Sequence, residues 1–181
     1  MAQRARSSRP RYSSRVTDRD EVADAIGKLL VERGETVAVA ESSAGGLIAA
    51  ALLGVGGASQ FFTAGAVVYN AEGKQRVAGM TTGALAVARS STEQHTALLA
   101  HAVQDRLGAT WAIAETGAAG PTGNRYGDAA GHSALAVVGP VERTSTIETG
   151  SSDRRANMEA FALAALRLLR EAIEAAPLTS S

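Results

Sequence analysis

The chain of 181 residues has room for one domain of the common ~100–200-residue size and not for two complete cores. Its 45% hydrophobic and 20% charged residues, with a mean hydropathy near zero, are those of a globular protein and exclude a disordered or fibrous one. There is no cysteine, which removes disulfides, thiolate metal sites and cysteine nucleophiles together, and 18 basic residues balance 18 acidic ones. That balance is uneven along the chain. Residues 1–17 hold five arginines (Arg4, Arg6, Arg9, Arg11, Arg15) and no acid, so 13 basic residues face 18 acidic ones in the rest, a net of −5.

The Arg- and Ser-rich arm 1–17 has no apolar face and no apolar signal core, and reads as a solvated, disordered tail. A transit peptide or a nucleic-acid contact is the other use of such a segment, and the acidic body ranks nucleic acid last. The body is expected over 18–176, with 177–181 as a tail. Thr17 and Asp20 form a capping-box-like start to a first helix that Gly34 stops, with Val22, Ile26, Leu29 and Leu30 on one face. A buried strand is expected at Thr36–Ala40, then a tight turn Glu41–Gly46 into a helix Leu47–Leu53. The apolar run from Leu47 to Ala58 is broken by Gly54, Gly56 and Gly57 and is too short for a membrane span of ~18 or more residues.

A strand at Gly65–Tyr69, a helix at Ala71–Ala78 and a longer helix at Thr92–Leu107 follow, the last stopped by Gly108. Thr110–Glu115 reads as a buried strand entering the glycine-rich run 116–131, His132–Val138 as another strand, and Arg143–Thr149 as an edge strand. A helix over Asp153–Ala175 closes the chain, with Phe161, Ala165, Leu168 and Leu169 sharing a face. Strands alternating with helices predict a single layered α/β/α domain with a mixed, partly parallel sheet. Ala-rich surfaces on the long helices leave room for a self-contact between copies.

Open α/β sheets bind ligands at the carboxyl ends of their strands, and two strand ends here run into glycine-rich turns, AESSAGG at 40–46 and ETGAAGPTG at 115–123. Ser42 and Ser43 stand at a helix entrance, where free N–H groups can hold an oxyanion and a serine can be a nucleophile. A helix-capping role is the commoner use of such a serine, and the glycine loops match neither a dinucleotide fingerprint nor a Walker loop. His95, His101 and His132 are scattered. His95 and His101, six apart on one helix, cannot share a metal and read as surface or packing residues. Tyr69 and Lys74 form the other candidate pair. Lys74 is one of two lysines, with Lys28, in a chain that otherwise uses arginine, and a desolvated lysine can serve as a base where guanidinium cannot.

Three segments in order, AESSAGGLIAAAL, GGASQFFTAGAVVYNAEGK and TGAAGPTG, resemble the C-terminal domain of the competence/damage-inducible protein CinA, a family of nicotinamide-nucleotide amidases, from about Val22 to Ala172. The resemblance implies a free-standing amidase that converts nicotinamide mononucleotide to nicotinic acid mononucleotide and ammonia, without a cofactor or metal and in the cytoplasm. It implies Ser42 as nucleophile, Lys74 as base, and Tyr69 assisting the proton transfer or orienting the lysine. Ser43, Gly45, Gly46, Ser59, Thr116, Gly117, Gly120 and Arg154 would complete the substrate pocket, with Arg154 on the phosphate and the oxyanion on N–H groups of the Ser43–Gly46 turn. Ser43 and Ala44 replace the family's Cys and Thr, Met158 replaces a second arginine, and the loop 123–131 reads differently. These departures motivate the alternative, a catalytically silent CinA-like domain that binds a nucleotide or a protein.

Overall fold

The computed structural model describes residues 17–177. The basic arm and the C-terminal tail therefore lie outside the described residues except at Thr17 and Pro177. Twelve elements follow in order: α1 (Asp18–Arg33), β1 (Val37–Glu41), α2 (Leu47–Gly54), a 3₁₀ turn (Ala58–Gln60), β2 (Phe62–Val67), α3 (Ala71–Arg76), α4 (Thr82–Val87), α5 (Glu93–Leu107), β3 (Trp111–Ala118), β4 (His132–Val138), β5 (Arg143–Glu148) and α6 (Arg154–Ala175).

The sheet order is β2-β1-β3-β4-β5, parallel across β2, β1 and β3 and antiparallel across β3, β4 and β5. The mixed α/β fold thus agrees with the sequence pattern. From β1 the chain passes through α2 to β2 on one side, then returns through α3, α4 and α5 to β3 on the other side of β1. The carboxyl end of β1 at Glu41 pairs with Glu115 of β3, beside the crevice where the strand order reverses.

Period-two alternation divides the strands between two cores of different texture. Val37, Val39, Trp111, Ile113, Leu135 and Val137 pack against α1, α2 and α6. Their neighbours Ala38, Ala40, Ala112, Ala114 and Ala136 pack against Leu99, Ala100 and Val103 of α5. Small alanine side chains thus floor the sheet under α5.

The caps follow the sequence signals. Thr17 and Asp20 close a reciprocal capping box at 3.0 and 3.3 Å, Gly34 ends α1 at φ 63°, and Asp153 caps α6 through the N–H groups of Arg155 and Ala156. Three expectations shift. The second strand begins and ends earlier, at Phe62–Val67, because Val68 turns inward to donate to the Glu41 carbonyl and Asn70 is needed as the cap of α3. The third strand runs on to Ala118, since β4 pairs with Thr116, Gly117 and Ala118, residues read from sequence as loop. Helix α4 was not expected; six residues give too few turns for a periodic signal.

Candidate active site

Ser42 follows the last residue of β1 and lines a cleft of about 540 Å³ together with Lys74, His95, Thr116 and Gly117. Its turn is held from beneath by Glu115, whose carboxylate is wholly buried. One Glu115 oxygen accepts from the N–H groups of Ser42 (3.1 Å) and Ala44 (2.8 Å); the other accepts from Ser133 Oγ (2.7 Å) and from Ser43 Oγ. Ser43 is thereby committed to the interior. Ser42 faces the cleft, and its Oγ has no hydrogen-bond partner among the described residues. Gly45 and Gly46 adopt φ of 69° and 101°, and a Cβ on Gly45 would come within 2.6 Å of Met158 Cε. They shape the turn from outside the cleft lining.

The same turn revises the expected oxyanion site. Ala44 N–H goes to Glu115, Gly45 N–H goes to the Ser42 carbonyl at 3.2 Å, and Gly46 N–H faces the Glu41 carboxylate. Glu41 also takes the N–H groups of Ile48 (3.2 Å) and Ala49 (3.1 Å), so the start of α2 already has its anion. Burial, ahead of these N–H contacts, pushes the Glu41 carboxyl above its ordinary range. Within Ser43–Gly46 this leaves the Ser43 N–H without a partner among the described residues.

Lys74 lies on α3 and is 4% exposed. Its Nζ contacts His95 Nε2 at 2.8 Å and donates to Ser90 Oγ at 3.0 Å. Burial lowers the ammonium from 10.5 to about 8, against the opposing pull of the Glu115 charge. His95 is the third residue of α5 and 1% exposed, so of the two expected places, surface or packing, the surface is excluded, and it is a buried partner of Lys74. Burial, then the Lys74 charge, lowers its pKa.

Tyr69 lines the cleft but is 65% exposed, and its hydroxyl accepts from Arg154 Nη2 at 3.3 Å. Arg154 also donates to the Gly120 carbonyl at 2.7 Å, which ties these two expected residues together beside the cleft. Thr116 and Gly117 line it, Thr116 accepting from the Ser91 N–H and sharing a 2.9 Å hydrogen bond with Thr96. Ser59 does not join them. It is exposed in the 3₁₀ turn that enters β2, at the amino end of the parallel strands, while Ser42 is at the carboxyl end.

Several lining residues escaped the sequence reading. Arg89 forms a two-pronged pair with Asp128 at 2.6 and 2.9 Å, and Arg89 and Arg125 stand 5.5 and 5.0 Å from the Tyr126 ring centre. The Asp128 carboxyl is lowered to about 2, first by the Arg89 hydrogen bond. Arg89, Asn124, Arg125 and Tyr126 all face the cleft. A charged residue at the end of an apolar run, as Glu115 follows WAIA, was the available signal for the buried anchor. His95 and Arg89 carried no comparable mark.

Fold and cleft together define a three-layered α/β/α domain with its polar cleft at the reversal of a mixed sheet. Residues 19–173 match the CinA C-terminal domain model, and the chain belongs to that family. It is 36% identical over 138 residues to a CinA-like protein of Synechococcus elongatus, covering 74% of this chain and 33% of that protein. It is 35% identical over 155 residues to a CinA-like protein of Anaeromyxobacter dehalogenans, covering 86% and 38%. The chain thus spans about a third of the length of the curated relatives it matches. Among solved structures, it is similar to a competence-damaged protein (CinA) superfamily protein from Klebsiella pneumoniae, with a TM-score of 0.81 and 27% identity over 87% of this chain and 99% of that one. The competence/damage inducible protein CihA from Agrobacterium tumefaciens also gives 0.81, with 30% identity over 90% and 99%. No helix among the described residues is long and apolar enough to cross a membrane.

Proposed function

We propose that the cleft hydrolyses the carboxamide of nicotinamide mononucleotide, with Ser42 as nucleophile and Lys74 as base, a cytoplasmic reaction needing no cofactor. The identity of the substrate comes from the family resemblance. The single observation that carries the chemistry is that Ser42 and a buried Lys74, its ammonium lowered to about 8, line one cleft. A free amine is then present near neutral pH, as a base requires.

The free Lys74 amine takes the Ser42 hydroxyl proton as Oγ bonds to the amide carbon. The carbonyl π electrons move to oxygen, and the resulting oxyanion is held by the Ser43 N–H. Collapse restores the carbonyl, breaks the C–N bond and returns the Lys74 proton to the leaving nitrogen as ammonia. Water, deprotonated by the same amine, attacks the acyl-serine; Ser42 regains its proton and the carboxylate product departs. Arg125, on the cleft wall without a carboxylate partner among the described residues, suits the phosphate. Tyr69, whose hydroxyl accepts from Arg154 and has no hydrogen bond to Lys74 among the described residues, orients the substrate in this reading.

Ammonia release from nicotinamide mononucleotide by the purified protein tests this reading, with Ser42→Ala and Lys74→Ala each expected to lower kcat by about three orders of magnitude or more. Unchanged rates in both variants overturn the mechanism. The alternative, a silent binding domain, is favoured by one observation: Lys74 Nζ bonds to His95 and Ser90 and not to Ser42. Tight binding of the mononucleotide without ammonia release over long incubation selects it.

A further inference from the structure

We propose that His95 is a positioning residue for the reaction: its Nε2 accepts one N–H of Lys74, which fixes the rotation of the amine and leaves its lone pair for Ser42. The proposal rests on Lys74 being the base.

The tautomer follows from the surroundings. A buried imidazole needs partners on both nitrogens. Nδ1 of His95 lies 3.0 Å from the Ala88 carbonyl oxygen, which can only accept, so the proton resides on Nδ1. Nε2 is therefore a bare acceptor, and its partner at 2.8 Å is Lys74 Nζ, which has protons to give. A doubly protonated ring would set two donors against each other across that contact. Among the described residues the Glu115 carboxylate of β3 acts on Lys74 by its charge, His95 feels the Lys74 charge, and Arg89 and Tyr69 line the same cleft.

The amine nitrogen is tetrahedral, and one position is its bond to Cε. In the free-base form its two protons go to His95 Nε2 and Ser90 Oγ, and the remaining position, the lone pair, is left for the cleft that Ser42 lines. Without the His95 acceptor the amine turns freely and its lone pair is aimed only part of the time. His95 is not itself the base here. Its Nε2 lone pair is taken by Lys74, and its Nδ1 proton is directed at a backbone carbonyl.

Two readouts test the role in the 181-residue chain, His95→Leu removing the acceptor and His95→Gln restoring one at similar reach. The first is kcat against pH with nicotinamide mononucleotide. The second is independent of activity: the pH dependence of Lys74 acetylation by acetic anhydride, read by peptide mass, with the exposed Lys28 as internal standard. In His95→Leu the Lys74 midpoint is expected to fall, because its ammonium loses an acceptor, while the Lys28 midpoint stays. Yet the alkaline plateau of kcat should drop about tenfold or more with KM nearly unchanged, a loss that protonation cannot cause because Lys74 is already free there. His95→Gln should recover most of both.

An unchanged plateau in His95→Leu, or His95→Gln behaving like His95→Leu, overturns the proposal. His95→Met replaces His95→Leu if the latter does not fold. Lys74→Ala separates the two levels. If it is inactive while His95→Leu is fully active, only the positioning role fails; if Lys74→Ala keeps its turnover, the base assignment itself fails and this role with it.

Discussion

Ser43 Oγ donates a hydrogen bond to the buried Glu115 carboxylate, and this contact separates two adjacent serines that the sequence leaves equivalent. Ser43 belongs to the anchor and Ser42 to the cleft. Ser42→Ala should therefore abolish amidase turnover and change stability by no more than about 0.5 kcal/mol, as for a side chain free of partners. Ser43→Ala should keep most of the turnover and cost roughly 1–2 kcal/mol, one hydrogen bond to a buried carboxylate. Urea unfolding and ammonia release on the two proteins decide the assignment. The opposite pattern would make Ser43 the nucleophile.

Removing the anchor should be more damaging. Glu115→Ala strips partners from two backbone N–H groups and two hydroxyls in one buried place. At ~1–3 kcal/mol for each buried group left unpaired, and with some relaxation, we expect a loss of about 3–5 kcal/mol and of all turnover. Glu115→Gln keeps one acceptor oxygen and should fall between. An unfolding midpoint in urea equal to that of the unaltered protein would show that the turn holds itself.

With Lys74 as the proposed base, the rate should rise with pH through a midpoint at about 8, the value to which burial lowers its ammonium. Stability should move the same way. The unfolded chain holds its lysine proton up to ~10.4, so between about 8 and that value it binds more protons than the native state, and raising the pH favours folding. Lys74→Met should flatten this part of the stability profile, measured by urea unfolding at a series of pH values.

His132 is the electrostatic opposite of His95. Its Nδ1 faces Glu148 at 2.5 Å and its Nε2 faces the Ser91 carbonyl at 2.8 Å, so both nitrogens meet acceptors and the ring is suited to carry a proton on each. Burial alone would depress its pKa, but Glu148, the Ser91 carbonyl and Asp128 reverse the sign and raise it. The folded protein thus holds this proton more tightly than the unfolded one. The resulting stability is full below the ordinary histidine range near 6.5 and is lost as pH rises through the raised folded value. The Tm of the unaltered protein should fall relative to that of His132→Gln over this window, and parallel Tm curves would contradict the assignment.

Arg125 offers a test of the phosphate contact. Arg125→Ala should raise KM for the mononucleotide about tenfold or more, the scale of one charge-assisted hydrogen bond, with little change in kcat. The nucleoside lacking the phosphate should be insensitive to the change. Equal effects on both substrates would place the phosphate elsewhere, with Arg154 the next residue to vary.

Much of the scaffold was legible because its signals are local. Thr17 with Asp20, Gly34, Thr92, Gly108 and Asp153 mark helix ends through caps that need only neighbouring residues. His132–Val138 matched its strand residue for residue, since an apolar run bounded by polar turns leaves little choice. The ends of β2 and β3 shifted because pairing partners far along the chain decide where a strand stops. The cleft was legible in part for the same reason. Ser42, Tyr69 and Lys74 stand in short motifs, whereas His95 meets Lys74 only after α5 docks, and Glu115 meets the 42–44 turn only after β1 and β3 pair. Ser59 was carried by its motif to a strand's wrong end.

The floor of Ala38, Ala40, Ala112, Ala114 and Ala136 has a mechanical meaning. Single methyl groups make a thin side-chain layer, so Leu99, Ala100 and Val103 of α5 pack on a shallow floor, and His95 near the start of the helix shares that seat. The reach from His95 to Lys74 is thus gauged by five shims that line neither the cleft nor its mouth. Thickening one of them to valine would lift the far wall of the cleft while leaving every polar group in it intact.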